Sequence, residues 1–414
     1  METGKYSIII TRPDVKKDTT TGNIRLDNKD IIDCYFIEDI YSYGIVGKLK
    51  FNDLYGIVER GPFTGNETVY IIYGEDDERT HEFYIYSVNK ISQITNVESS
   101  SQNAVEITFT DNMFINLTKN RYSRSWTDTL ISDIIKDIST NMLDVTSFNE
   151  FEATQETLPY FYMPYWTPLE SINWLIKRGS GATSKKAGYA YYNNGEGTNF
   201  VTLEKLLANK SILNTGLKTP EDYVFESPED AEYRNKILGW TLQGIDNTGT
   251  NSIKGAHVFG YNFATKSLYD RSHEYSTSIS QYTMLGRKTL FPDISNDTMM
   301  YSLEGDNDTD ILDNIYQHNF IRKYNLQQCV SIIVRGSERR HAGAMINIRW
   351  PSPIKEEISN RNLAGRFLIK SITHSLNPYR NPPYRQKLIL IKNAYSDSFY
   401  PGLVKSTKKN VTVI

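Results

Sequence analysis

The sequence predicts a mainly β protein with an α+β portion: two duplicated antiparallel β-barrel domains, a small α+β domain and an insertion. Three observations predict it. Short runs near both ends of the chain alternate with period two, the middle switches to helical spacing, and the two strand-rich regions resemble each other.

The first barrel is expected over residues 1–120. GIVGKLKFND sets Ile45, Leu49 and Phe51 on one face against Val46, Lys48, Lys50 and Asn52; NAVEITFTDN sets Val105, Ile107 and Phe109 against Glu106, Thr108 and Thr110. From residue 121 the period changes. SWTDTLISDIIKDIST spaces Trp126, Leu130, Ile131, Ile134, Ile135 and Ile138 as one helix face, with Ser125 or Thr127 as its cap. TPLESINWLIKRG opens a second helix: Thr167 at the N-cap, Pro168 at N1, Glu170 closing a capping box and Gly179 at C′. Strands around Ala187 to Tyr192 and Asn199 to Leu203 complete an α+β domain over 121–222. NKILGWTLQGI then returns to a second barrel, assigned to 223–246 and 319–400. Residues 247–318 read as a polar, peripheral insertion, with a helix from about Asp308 to Tyr324 leading back to QQCVSIIVRG, AMINIRW, GRFLIKSITH and RQKLILIKN. Residues 401–414 read as a flexible tail.

The repeat is clearest in FYIYSVNK and FLIKSITH, where Phe83, Ile85, Ser87 and Val88 match Phe367, Ile369, Ser371 and Ile372 at a constant offset. GNETVYIIY and GAMINIRW precede them, and Val105 and Ile107 are matched with Leu388 and Leu390. His374 falls opposite Lys90 in this alignment, so it reads as a polar residue at a barrel rim in preference to a general base.

Composition bounds the function. A chain of 414 residues exceeds the roughly 250–300 at which single cores stop growing. With 46 Lys+Arg against 49 Asp+Glu, no basic footprint for stable nucleic-acid binding is expected. Two cysteines, Cys34 and Cys329, allow no disulfide framework and no zinc ribbon, and read as small buried hydrophobes. METGKYSIIITRP has no secretion h-region and no window reaches 18 apolar residues, so synthesis in a cytoplasm without membrane insertion is expected. The 29 tyrosines suit an assembling surface.

Chemical motifs are few. Glu75, Asp76, Asp77 and Glu78 form a charged turn. Asp306, Asp308 and Asp310 begin like a calcium loop but place Ile311 and Gln317 where Gly and Glu are needed, so helix capping is the better reading. GSGATSKKAG has Ser184 where a phosphate-binding loop needs Gly and reads as a flexible basic loop; His81-Glu82 lacks the second histidine of a zinc helix. No cofactor, metal or catalytic residue is expected. The densest basic cluster, Arg335, Arg339, Arg340 and Arg349, is either a solvated hairpin or a set of interface or lumen residues able to grip carboxylates.

The duplicated barrels, the domain carrying TPLESINWLIKRG, and the closing pattern GRFLIKSITHSLNPYRNPPYRQKLILIKN together resemble the bacteriophage tail baseplate hub family, also found in contractile injection systems. GPFTGNETVYIIYG resembles the matching element of the first barrel. The resemblance spans about residues 1–395 and implies tube-type barrels, a homotrimer with a pseudo-six-fold ring, and a structural role joining the tail tube to a central spike, with baseplate wedge and tape-measure proteins as further neighbours and DNA passing through the lumen. A receptor- or carbohydrate-binding tail module, with the insertion as binding surface, and a tail-associated cell-wall-degrading enzyme are the alternatives.

Overall fold

The computed structural model describes residues 5–12, 23–53, 56, 63–74, 78–92, 103–208, 222–224, 236–242, 256–262, 266–273, 282–285, 309–324, 328–349 and 364–394. Five strands form the first sheet unit: β3 (Ile31–Asp39), β4 (Val46–Asn52), β5 (Thr68–Gly74), β6 (Arg79–Ser92) and β7 (Asn103–Thr110). They pair antiparallel in the order β3-β4-β7-β6-β5. Before them, β1 (Lys5–Thr11) lies antiparallel to β5 and carries β2 (Ile24–Leu26) on its other edge. In each strand the apolar phase of the alternation is buried: Leu49, Phe51, Val69, Ile71, Val105, Ile107 and Phe109 are all fully inside.

The second unit repeats this wiring with β14 (Ile237–Leu242), β17 (Gln328–Arg335), β18 (Met345–Arg349), β19 (Gly365–Leu376) and β20 (Tyr384–Lys392), in the order β14-β17-β20-β19-β18. Chain order and ladder order match strand for strand. The irregularities match too. The β6–β7 ladder slips between Ile85 and Ser87 and the β19–β20 ladder between Ile369 and Ser371, so each bulge position of the second unit lies 284 residues after its counterpart. The third strand corrects the alignment drawn from sequence. Val88 faces Ile107 and Ile372 faces Leu388, so Ile107 corresponds to Leu388 and Phe109 to Leu390, an offset of 281. A longer connection between the first pair of strands than between the second hid this two-residue difference. Beside β18 the place of β1 is taken by β13 (Asp222–Val224), which runs parallel instead of antiparallel.

The two units are joined edge to edge. β19 pairs antiparallel with β3 over Ser371↔Asp39 to Leu376↔Cys34, making one sheet that runs from β14 to β2. Each unit keeps its own core, although Leu376 and Tyr384 of the second reach into the core of the first.

Side-chain volume is shared differently in the two cores. Gly47 on β4 lies between Phe36 and Phe109 in the ladder, whereas the matching β17 position is Val330 beside Leu390. A Cβ on Gly47 would meet the Phe109 ring and come within 2.5 Å of the Tyr35 carbonyl oxygen. Gly47→Ala is therefore expected to cost about 1–3 kcal/mol in urea unfolding, as overpacking does, and adding Phe109→Leu should return part of it.

Between the units lies the α+β portion: α1 (Asn112–Lys119), β8 (Tyr122–Leu130), α2 (Ile131–Met142), β9 (Phe148–Phe151), β10 (Thr157–Trp166), α3 (Pro168–Leu175), β11 (Tyr189–Asn194), β12 (Gly197–Thr202) and α4 (Leu203–Ala208). The α3 capping box forms as expected, with the Glu170 amide donating to Thr167 Oγ1 and the Thr167 amide to Glu170 Oε2 at 2.7 Å. Two local expectations fail. The helix predicted from Trp126 starts only at Ile131, because residues 122–130 pair with β10 and Trp126 packs on Phe161. Gly179 is not the C′ residue: α3 ends at Leu175 with Ile176 as its cap, and a Cβ on Gly179 would press on Thr154.

The remaining described elements are a hairpin, β15 (Ala256–Asn262) with β16 (Ser267–His273), and α5 (Thr309–Tyr324). α5 runs through the boundary expected at 318 and is not peripheral. Tyr316, Phe320 and Ile321 enter the core of the second unit, and Ile311 and Ile315 that of the α+β portion. Asp313 ties the hairpin to this helix by accepting from Arg271 and from His273 at 2.9 Å. The tail 401–414 lies outside the described residues, as do Glu75, Asp76, Asp77, Asp306 and Asp308 and the side chain of Asp310.

Candidate functional site

The densest group of titratable side chains sits where the two units meet. On β3 the inward phase runs Cys34, Phe36, Glu38, which places a carboxylate where the pattern otherwise puts apolar groups. Register then brings His374 of β19 opposite Phe36, and the rings stack with centroids 4.2 Å apart. His374 Nε2 lies 3.4 Å from Glu38 Oε1, both side chains being wholly buried, while the Tyr384 hydroxyl is 2.9 Å from Nδ1. β5 and β6 contribute Tyr73 and His81, whose hydroxyl and Nε2 are 2.8 Å apart. Glu38 Oε2 accepts from the Ala342 amide at 3.1 Å.

The α+β portion plugs the same place. The turn between β11 and β12 carries Asn194, Gly195 and Glu196. Asn194 donates to the Ala342 carbonyl at 2.9 Å, and Arg79 of β6 donates to the Gly195 carbonyl at 3.2 Å and pairs with Glu196. A Cβ on Gly195 would stand 3.1 Å from Arg79 Nη1 and 3.2 Å from Glu38 Oε1, so the turn approaches this closely because residue 195 has no side chain. Three pieces of the chain are thus locked by one polar cluster.

Its electrostatics follow from burial. Desolvation alone would push the Glu38 carboxyl up; His374, the Ala342 amide and His81 overcome it and hold the carboxyl below the usual range. His81 is pressed down to about 4 by burial, against the pull of Glu38. Burial lifts the Tyr73 and Tyr384 hydroxyls well above their ordinary range. Such a carboxylate–imidazole pair could in principle transfer protons, but here its faces are filled by Phe36, Tyr384 and the 195 turn. The arrangement clamps.

The residues singled out in the sequence are dispersed. His374 is a sealed junction residue and not a rim residue, since its strand pairs with β3 of the other unit and Phe36 and Tyr384 close over its ring. Arg340 leaves the candidate interface set: it is 3% exposed and donates to the Arg335 carbonyl at 2.6 Å and to Gln386 Oε1 at 2.8 Å, bracing the turn after β17. Arg335 is half-buried on β17, and Arg339 lies 3.9 Å from Glu338 with its side chain 40% exposed. The side chains of Arg349 and Lys90 lie outside the described residues. GSGATSKKAG is pinned, not flexible: Glu156 takes the Ser180 amide at 2.7 Å, and Glu152 takes the Ser184 amide at 3.2 Å and the Thr202 hydroxyl at 2.7 Å. Cys34 is buried in the first core and Cys329 half-buried beside the second. Sequence reasoning missed Glu38, although an acid in the apolar phase of IIDCYFIED was a usable signal.

Two solved structures share the fold over nearly the whole length of the chain. A tail protein from Neisseria meningitidis MC58 superposes with a TM-score of 0.59 at 8% identity, over 94% of this chain and 99% of the other. The chain has a tail-protein fold. The 43 kDa tail protein of prophage MuSo2 from Shewanella oneidensis agrees, with a TM-score of 0.58 at 10% identity over 94% and 99% of the two chains. No family model matches the sequence, and no curated protein matches it significantly.

Proposed function

We propose that the chain is the structural hub of a phage-type tail baseplate, a homotrimer whose two sheet units per chain build a pseudo-six-fold ring between the tail tube and a central spike. The observation that carries this reading is the pair of like-wired units fused through β19 and β3, since three such chains supply six similar walls to a six-fold tube while keeping three-fold symmetry for a spike. The tail-protein fold supports it. A clamp that welds both units and the α+β portion suits a mechanical adapter, and the sealed Glu38–His374 pair argues against the cell-wall-degrading alternative. Wedge and tape-measure proteins are the further neighbours in this reading, the location is the virion tail, and Arg335, Arg339 and Arg349 are the arginines proposed to face a lumen or an acidic neighbour.

The edge of the fused sheet points the same way. On β14, Leu238, Trp240 and Leu242 are 41%, 52% and 44% exposed, and among the described residues β14 forms a ladder only with β17. An open edge bearing apolar side chains invites association unless a neighbour covers it. Sedimentation at micromolar concentration should give a trimer and imaging a ring with a central hole, whereas Leu242→Asp should give folded monomers. A monodisperse monomer of unaltered sequence would sink the reading.

A carbohydrate-binding alternative keeps one specific support. Tyr160, Tyr162 and Tyr165 on β10 are 81%, 60% and 65% exposed on one short ribbon; of the described tyrosines of the insertion, Tyr261 is 42% exposed and Tyr282 and Tyr316 are buried. A glycan array would detect it.

A further inference from the structure

We infer that the outer face of the fused sheet carries a docking pocket for an acidic, strand-like peptide segment of a partner protein. Register aligns Ile333, Lys387, Thr373 and Ile37 in one row across β17, β20, β19 and β3, and Arg335, Arg385, Ser375 and Tyr35 in the next. Over these rows lies a cavity of about 290 Å³. Three cations line it, Arg380, Arg385 and Lys387, with the hydroxyls of Thr373 and Ser375 between them and Tyr35 and Ile333 as apolar walls; no carboxylate is among its described lining residues.

Two other cations of this face are neutralised. Lys48 pairs with Glu106 at 3.1 Å and Lys370 with Asp39 at 3.3 Å. Arg385 is instead oriented by neutral groups, its Nε donating to the Pro382 carbonyl at 3.1 Å and its Nη2 to that of Asn381, which fixes the guanidinium without satisfying its charge. A pre-oriented guanidinium beside a second arginine and a lysine is complementary to carboxylate, which Arg grips through two parallel bonds.

The shape selects a peptide over a nucleic acid. A phosphate backbone needs a cationic track with stacking surfaces, but beyond β3 the two rows run on through Val46 to Thr110 and through Lys48, itself paired with Glu106, to Thr108, so the cationic character stops at the pocket. The pocket interleaves charge with the apolar Ile333 and Tyr35, which fits a strand carrying acids and aliphatic residues in alternation. The pocket lies within one chain, so this inference stands apart from the ring reading.

The test uses the full chain and three fluorescent probes: a peptide of alternating Glu and Val, the same peptide with Gln for Glu, and an oligothymidylate of equal charge. Anisotropy should show binding of the Glu peptide alone. Arg380→Glu with Lys387→Glu should weaken that binding by about tenfold or more, as charge reversal at a contact does. Lys119→Glu with Lys136→Glu, on exposed helix positions away from the pocket, should leave it unchanged, and all proteins should melt alike. Absence of binding, equal losses in both reversed pairs, or tighter binding of the oligothymidylate would each overturn the inference.

Discussion

Glu38→Ala is expected to lower the unfolding free energy by about 1–3 kcal/mol, the range for leaving buried hydrogen-bonding groups without their partner. The loss has identifiable parts. The Ala342 amide, buried and donating to Glu38 Oε2, would lose its acceptor, and His374, wholly buried, would face a void where the carboxylate had been. Glu38→Gln keeps an oxygen for the Ala342 amide and should cost less. Glu38→Leu with His374→Leu should cost less than Glu38→Ala alone, because the Ala342 amide loses its acceptor in both but the apolar pair fills the space and leaves no buried imidazole facing it. Urea midpoints at constant m-value measure all three. A Glu38→Ala loss below about 1 kcal/mol, the size of an exposed ion pair, would show that this cluster does not hold the units together.

Cooperativity extends the same argument to function. β19 and β3 supply the ladder that joins the units, and the cluster closes over it from β5, β6, β20 and the 195 turn. If the junction carries load, its weakening should also impair ring formation before Leu242 is touched. The two variants are then distinguishable: Glu38→Ala lowers the stability of the subunit, and Leu242→Asp leaves it intact.

How much of this was legible in the sequence depended on the range of the forces involved. The repeat was readable because Phe83, Ile85, Ser87 and Val88 and their counterparts obey one period-two pattern, and the bulge shared by both ladders preserves it. The capping box at Thr167 was readable because it closes within four residues. The strand at residues 122–130 was not: Trp126 sits at helical spacing from Leu130, and only pairing with β10, some thirty residues later, decides its conformation. Fusion through β19 and β3 joins positions more than 330 residues apart and leaves no local mark. Arg340 looked like surface charge because its partners are a carbonyl and Gln386, neither of which announces a buried cation.

Acid should destabilise the protein well before its carboxylates titrate. His318 is wholly buried on α5, and burial, with Arg322 and Lys177 nearby, presses its imidazole down to about 3; His81, stacked against Tyr73 and Phe83, is held at about 4 by burial. Both are therefore neutral in the folded chain across a range where the unfolded chain, with histidine near 6.5, takes up protons. The unfolded state binds more protons, so stability falls as pH falls. Between pH 6.5 and 5 the two residues together should remove roughly 3 kcal/mol. Glu38 adds the same sign lower down: its depressed carboxyl contributes stability above the unfolded value and loses it as pH falls through the folded one. Urea titrations at pH 7, 6 and 5 should show this slope, and His318→Gln should flatten it by about 1.4 kcal/mol per pH unit below 6.5. A profile flat from pH 7 to 5 would mean that these imidazoles reach water and that the packing of α5 between the two cores is looser than its buried residues imply.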